Sequence, residues 1–434
     1  MGNTTSMQTR TSSHGGRLTL RFSAFSPLMA AIYASLFTQL YSDLTFSLFL
    51  FEVIDYNIWL VDISIFFWCT ALVFYSLRAR DFNLLLLALS LICFMLLITL
   101  FRGLSGNPAD VFLWVRASML VPVAMLLGAL VRKDSNLIKR IEKATILCGV
   151  ILATLAISRW LTFPGFPFFE TTLGANEGRP LSAPGGILLA TASAIAVNRA
   201  INIRVNFRAF SLCFLLIAGL LLSGQGTAII AAVIMMAFVL FFKSETYSFI
   251  SIFILFVFLG ALFTLIFVVG LENILPGDAI QYFDQRLANR STRQAIWDGF
   301  LPVFEGSSML VQLIGFPAGQ RPALLLSLPN GQTNLWEASL HSQYYGVLSD
   351  TGYLGAAIFA FAIIYVLITS IFRKFVFQYN RRASNLGLVL LFGCLTFGYS
   401  YEWRDSMAIP GFLSIYLITC ARTAERARTS LDLR

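Results

Sequence analysis

The sequence predicts an all-α membrane fold, a polytopic bundle of about twelve transmembrane helices with a large helical loop on its outer side. Two observations carry this expectation. Hydrophobic residues make up 57% of the chain and charged residues only 12%, too few charges to cover the surface of a soluble domain of this length. The second is distribution: apolar stretches of about 17–25 residues, the length that crosses a hydrocarbon core, recur from end to end.

Taken in order, residues 1–24 form a polar, basic tail. It leads into the first apolar segment without a small-residue cleavage site, so that segment reads as an uncleaved helix. Spans are predicted near 25–41, 58–77, 83–101, 111–131, 144–162, 185–198, 209–223, 225–242, 248–270, 345–372, 384–401 and 406–421. Residues 25–270 thus hold nine helices, 271–344 a large outer loop, 345–421 three more helices, and 422–434 a C-terminal tail. The apolar stretch 44–54 extends the first span or lies at the interface. The break Ser223-Gly224-Gln225-Gly226 is tight enough to sit inside the bilayer beside a cavity.

Charge sets the orientation. With a cytoplasmic start and alternating sides, the inner segments carry 22 of the 31 basic residues and six of the 22 acidic ones. Most of the basic residues fall on that side, as the positive-inside rule requires. The net charge of +9 is therefore a topology signal, and no nucleic-acid partner is read into it. Both termini are expected in the cytoplasm, and the chain in the inner membrane of a bacterium.

The six cysteines, Cys69, Cys93, Cys148, Cys213, Cys394 and Cys420, lie singly in apolar stretches and read as small core residues. Met1-Gly2-Asn3-Thr4-Thr5-Ser6 fits a myristoylation pattern and Asn289-Arg290-Ser291 a glycosylation pattern; both patterns are short and read as accidental matches. With a single outward histidine, no paired cysteines and no D-x-D, the sequence suggests no metal centre. A Gly-rich phosphate loop is also lacking, and no cofactor is expected.

The basic residues left on the outer or membrane side are Arg102, Arg116, Arg159, Arg179, Arg286, Arg290, Arg293, Arg321 and Arg404, and none is lysine. Arginine presents a fixed planar fork suited to phosphate and carboxylate and stays charged when partly buried. That asymmetry points to an outward anion site; pairing with outer acids or snorkelling explains it equally in kind. Arg116 has a possible partner in Asp62, as an ion pair in lipid. On a helix, Arg286, Arg290, Arg293 and Trp297 fall at i, i+4, i+7 and i+11, one continuous stripe. Three guanidinium groups on one face suit a diphosphate, or form a solvated face with Asp284 and Asp298 as counter-charges. His341, where the loop re-enters the membrane, suits a general base near neutral pH or a structural hydrogen-bonder.

His341-Ser342, nine residues, then Gly352-Tyr-Leu-Gly355 resembles the H-[NSQ]-x9-G-x-x-[GTY] pattern of O-antigen ligases and the related Wzy-type polysaccharide polymerases. Arg293-Gln-Ala-Ile-Trp297 is similar to that family's R-x3-W. Ile314-Gly315-Phe-Pro-Ala-Gly319 looks like its Gly-aromatic-Gly segment, and Glu177-Gly178-Arg179 like its arginine before a central span. The likeness covers about residues 170–360; earlier spans match in hydropathy alone. One departure stands out: where members often carry Ser-Arg near the start of a middle span, this chain has Gly224-Gln225-Gly226-Thr227.

The resemblance implies a GT-C-like membrane glycosyltransferase whose donor is a sugar chain on undecaprenyl diphosphate. Carried over, Arg179, Arg290 and Arg293, with Arg286 on the same stripe, hold the diphosphate. His341 takes the proton of the acceptor hydroxyl, and Trp297, Ser342, Gly352 and Gly355 support the motifs. The acceptor is a second lipid-linked repeat unit for a polymerase, for instance of the xanthan type, or lipid A-core for a ligase. Lipid bilayer, a chain-length regulator and a flippase are the implied partners. A transporter or flippase of the same lipid-linked sugars is the reading from another class, set against the absence of a repeat between the two halves.

Overall fold

The computed structural model describes residues 26–45, 49–53, 56–78, 120–131, 135–162, 180–202, 207–243, 293–317, 322–327, 333–336, 340–376, 381–401, 403 and 407–419. The predicted spans 83–101 and 248–270 lie outside them, as does the basic tail.

The chain is helical. In order it runs α1 (Pro27–Thr45), a hairpin of β1 (Phe49–Val53) and β2 (Tyr56–Trp59), then α2 (Leu60–Arg78). Next come α3 (120–130), α4 (Ser135–Thr162), α5 (Ala183–Asn202), α6 (Phe207–Leu222) and α7 (Gly226–Lys243). The long loop contributes α8 (293–305), α9 (Met309–Ile314) and a hairpin of β3 (Leu324–Ser327) and β4 (Thr333–Trp336). Last are α10 (Gln343–Val376), α11 (Arg381–Ser400) and α12 (408–419).

Each described helix outside the long loop overlaps a predicted span. Among the described residues, Asn136–Leu161, Ala183–Ile201 and Gln343–Thr369 are long and apolar enough to cross a membrane; six others are shorter apolar helices. The fold is that of a helical membrane protein, with one correction to the all-α expectation. The stretch 44–54 neither simply extends α1 nor stays helical, because the chain turns into the antiparallel β1–β2 pair, Val53 opposite Tyr56 and Glu52 opposite Asn57. Aromatic and β-branched residues crowd this segment, and a two-residue link is a length that hairpins favour. The second hairpin, Leu324 opposite Trp336 to Ser327 opposite Thr333, pairs strands too short for a stable helical segment.

Small residues let the helices approach. A Cβ on Gly219 of α6 would run into Ala153 of α4, and one on Gly128 of α3 would meet the carbonyl of Phe412 in α12. In lipid, where hydrophobic burial does not drive helices together, such close van der Waals contact and buried hydrogen bonds supply the association. Trp68 shows the second device: fully buried, its indole N–H donates to Ser35 Oγ at 2.8 Å, and Ser35 meets Ser64 at 2.7 Å, joining α1 to α2. At the far ends of α4 and α5, Arg199 pairs with Glu142, Nε to Oε2 at 2.8 Å.

Helices α7 and α11 run antiparallel. Phe238 stacks on Phe392 at 4.6 Å and Met235 abuts Gly393, so the start of α7 and the end of α11 lie at the same end of the bundle. Everything functional below gathers at that end.

Gly219→Leu should wedge α6 from α4. An overpacked site of this kind costs about 1–3 kcal/mol, so the detergent-solubilised variant should melt several degrees lower. An unchanged melting curve would show that this contact does not hold the pair.

Candidate functional site

The long loop builds its own small core. Ile296, Trp297, Phe300 and Phe304 from α8 are buried with Leu324 and Leu340, and Phe316, Tyr345 and Leu348 pack around them. Spacing at i, i+3, i+4 and i+7 or i+8 explains this: those positions line one helical face, and here the face closes over the chain that leads into α10. Rings stack throughout, Phe300 on Phe304 at 5.6 Å and Phe304 edge-on to Tyr353 at 5.2 Å.

Trp297 is the link to the histidine. Its indole N–H donates to the carbonyl of Leu340 at 2.8 Å, the residue next to His341. The ring is only 6% exposed and lies between Tyr345, stacked at 5.4 Å, and Tyr399, edge-on at 5.2 Å. One turn earlier, Arg293 lays its guanidinium over the ring of Tyr401 at 4.6 Å, a cation–π contact. The i, i+4 spacing of Arg293 and Trp297 therefore has a plain meaning. Both side chains leave the same face of α8 and reach the Tyr399–Tyr401 segment at the end of α11.

His341 has φ 52, the only positive φ of a non-glycine residue among those described, and asparagine, aspartate and histidine are the side chains that best tolerate that region. The turn reverses the chain so that Ser342 can start α10, its carbonyl accepting from Gly346 N–H at 2.8 Å. The hydroxyl of Ser342 points to the carbonyl of Gly398 at 3.5 Å. Gln343 accepts from the Trp403 amide at 2.6 Å, and Tyr344 donates to the Leu395 carbonyl at 2.7 Å. The first residues of α10 are thus fastened to the end of α11, and His341 is held between that junction and Trp297.

Gly352 kinks α10, with φ 63 and ψ −166. A Cβ there would collide with the backbone of Leu313 and Ile314, so only glycine admits the end of α9. The kink frees helical carbonyls, and the intruding segment uses one: Phe316 N–H donates to Ser349 O at 2.8 Å, where residue 353 would donate in an unbroken helix. Gly315, φ 87, ends α9 and makes this approach possible. Gly355 leaves room for the side chain of Thr351 one turn back.

The sequence-derived site is thus partly assembled. Arg293, Trp297, His341, Ser342 and Gly352 come together. Arg179, Arg286, Arg290, Arg116, Arg321 and Arg404 lie outside the described residues, as does the side chain of Asp62. Arg159 is not an open anion grip: it donates to the backbone carbonyls of Pro180 at 2.8 Å and Asp43 at 2.6 Å. Sequence reasoning missed Tyr345, Tyr399 and Tyr401; aromatic residues at span ends are so common as interface anchors that their pattern alone does not mark a site. The described His, Cys, Asp and Glu residues form no cluster of three that could hold a metal.

Residues 211–360 match the family model described as O-antigen ligase. That stretch, about a third of the chain, is similar to the O-antigen ligase family. It runs from α6 to the middle of α10 and contains Arg293, Trp297, His341, Ser342, Gly352 and Gly355. Arg179 and the Tyr399–Tyr401 segment fall outside the matched residues. No curated protein and no solved structure matches the chain.

Gly352→Ala should unseat α9 from the kink. A methyl group on backbone at positive φ costs about 1–3 kcal/mol before the clash is counted, so amide exchange at Phe316 should quicken together with a fall in melting temperature. Exchange as slow as in the parent protein would remove the kink from the account of this glycine.

Proposed function

We propose that the chain is a glycosyltransferase at the periplasmic face of the bacterial inner membrane that joins saccharides carried on undecaprenyl diphosphate. The observation that supports this best is the Trp297 indole bonded to the Leu340 carbonyl, which brings the Arg293 motif against the His341 motif. An arginine and a histidine beside one aromatic cluster suit a reaction with an anionic leaving group and a hydroxyl nucleophile.

In the reaction, the acceptor hydroxyl oxygen bonds to the anomeric carbon of the donor as the bond from that carbon to the diphosphate oxygen breaks. The hydroxyl proton passes to His341, and the lipid keeps the diphosphate as an anion. His341 then returns its proton to solvent. Guanidinium groups, Arg293 first and Arg179, Arg290 and Arg286 with it, stabilise the charge that develops on the leaving oxygens. Because that group leaves ionised, the chemistry requires neither a general acid nor a metal.

The acceptor separates two members of this class. A second lipid-linked repeat unit makes the chain a polymerase of exopolysaccharide or O-antigen, the reading preferred here because Gln225 stands where ligases often carry arginine. Lipid A-core as acceptor makes it a ligase, the activity for which the matching family model is named. In either case residues 271–344 face away from the cytosol, both termini face it, and a flippase must supply the donor to the outer leaflet.

His341→Ala and Arg293→Ala should each leave the protein inserted while product falls by about 10²-fold or more, the scale of a lost base or charge-stabilising group. For a polymerase, single lipid-linked units should accumulate on the outer leaflet. Polymer of normal length and amount from either variant would refute the catalytic assignment, and units trapped on the inner leaflet would indicate a transporter instead.

A further inference from the structure

One apolar face of α9 is left uncovered by the described residues. Met309 is 83% exposed, Leu310 66% and Leu313 47%, three large side chains on one side of a helix six residues long. A single exposed leucine needs no explanation, whereas a contiguous apolar group does. The rest of the segment is arranged to do without water. Residues 306–317 carry no charged side chain, and much of their backbone is bonded within the protein. Gly306 N–H donates to Pro302 O at 2.9 Å, Gln312 N–H to Ser308 O at 3.0 Å and Gly315 N–H to Val311 O at 2.6 Å. Gln312, the one long polar side chain there, commits its amide to the carbonyls of Glu305 at 2.6 Å and Ser307 at 3.0 Å. Backbone that meets hydrocarbon must be satisfied in this way.

Depth follows from α10. Arg373 and Lys374, in its last turn, mark one membrane boundary, because charged residues stay out of hydrocarbon. Counting back about 20 residues, roughly 30 Å of helix and one hydrocarbon thickness, reaches Tyr353 at the opposite boundary. Tyr353 is half exposed and lies edge-on to Phe304, as suits an aromatic residue where lipid meets water. Beside it, the backbone of Leu313 and Ile314 rests against Gly352. Helix α9 is therefore held at the level where water gives way to acyl chains. Its neighbour α10 is apolar on its own exposed side there, at Leu354, Ile358 and Phe361.

We propose that α9 is an interfacial anchor, with Met309, Leu310 and Leu313 among the acyl chains of the leaflet on the side of the long loop. The helix is locked to α10 at Gly352. It is joined to α8 through Phe316, whose ring meets Phe300 at 6.4 Å and Phe304 at 6.1 Å. The anchor thereby ties the Arg293–Trp297–His341 cluster to the membrane surface, so that the loop is a part of the bilayer boundary and not a free outer domain. It does not depend on the chemistry proposed above.

The test uses the full-length protein with its six native cysteines replaced by alanine, in nanodiscs of phosphatidylethanolamine and phosphatidylglycerol. A nitroxide is attached in turn at Met309→Cys, Leu310→Cys and Leu313→Cys, with the exposed Glu305→Cys as the solvent reference. In power-saturation measurements, oxygen should relax the three α9 labels more than a neutral nickel chelate does, with the order reversed at Glu305→Cys. Labels on α9 as open to nickel as the reference would overturn the anchor. Labels shielded from both reagents would overturn it too, because they would show α9 covered by protein. Neither of those results would touch the glycosyl-transfer reading. If the alanine background does not fold, benzoylphenylalanine in place of Leu310 of the otherwise native chain carries the test. Photochemical adducts with phospholipid would then support the anchor, and adducts confined to protein would overturn it.

Discussion

The site depends on one hydrogen bond made by a residue that does no chemistry. Trp297 Nε1 donates to the Leu340 carbonyl, the polar tie that fixes how α8 meets the entry to α10 within the core they share. A buried indole N–H must find an acceptor, so burying the ring commits the loop to this carbonyl and to the chain direction that follows it. The positive φ of His341 is then a consequence: the carbonyl at 340 points one way, helix α10 starts another way, and the histidine absorbs the difference.

The same logic accounts for the glycines. Within a membrane bundle, irregular backbone is tolerated where neighbouring protein satisfies it. The kink at Gly352 meets that condition because α9 ends against it and Phe316 uses the freed Ser349 carbonyl. The turn at Gly224, φ 72, meets it because Ser223 and Gln225 bond to each other and to residues 181 and 220. Both places look like breaks in a hydropathy trace. In three dimensions each is a joint in which one element is locked to another.

The helices were legible in the sequence because a membrane span needs only length and apolar composition, and those are local properties. Trp297 and Gly352 were legible as motif members, since residue type at fixed spacing carries the resemblance. Their reasons were not, because the partners are remote: Leu340 is 43 residues from Trp297 and Leu313 is on another helix from Gly352. Tyr399 and Tyr401 lie beyond the family's matched stretch and escaped notice, although they contact Trp297 and Arg293. The hairpins escaped too, because short apolar strands and the ends of spans have the same composition. At the break 223–226, Ser223 and Gln225 are buried and bonded to protein, partners that hydropathy alone does not reveal.

Two kinds of arginine emerge at this end of the molecule, and the difference is instructive for the charge argument. Arg159 uses two of its nitrogens on backbone carbonyls and tightens the scaffold. Arg293 leans on an aromatic ring, which restrains its position while leaving in-plane N–H donors directed away from the ring face. A guanidinium with two nitrogens already committed to carbonyls has fewer donors for a diphosphate, whereas one held by a π face keeps its donor edge for an anion. Counting outward arginines therefore overstates the anion site, and the partner of each side chain decides its part. By that criterion Arg293 is the residue around which a phosphate-binding centre would be built, with Arg159 serving to hold the scaffold at Asp43 and Pro180.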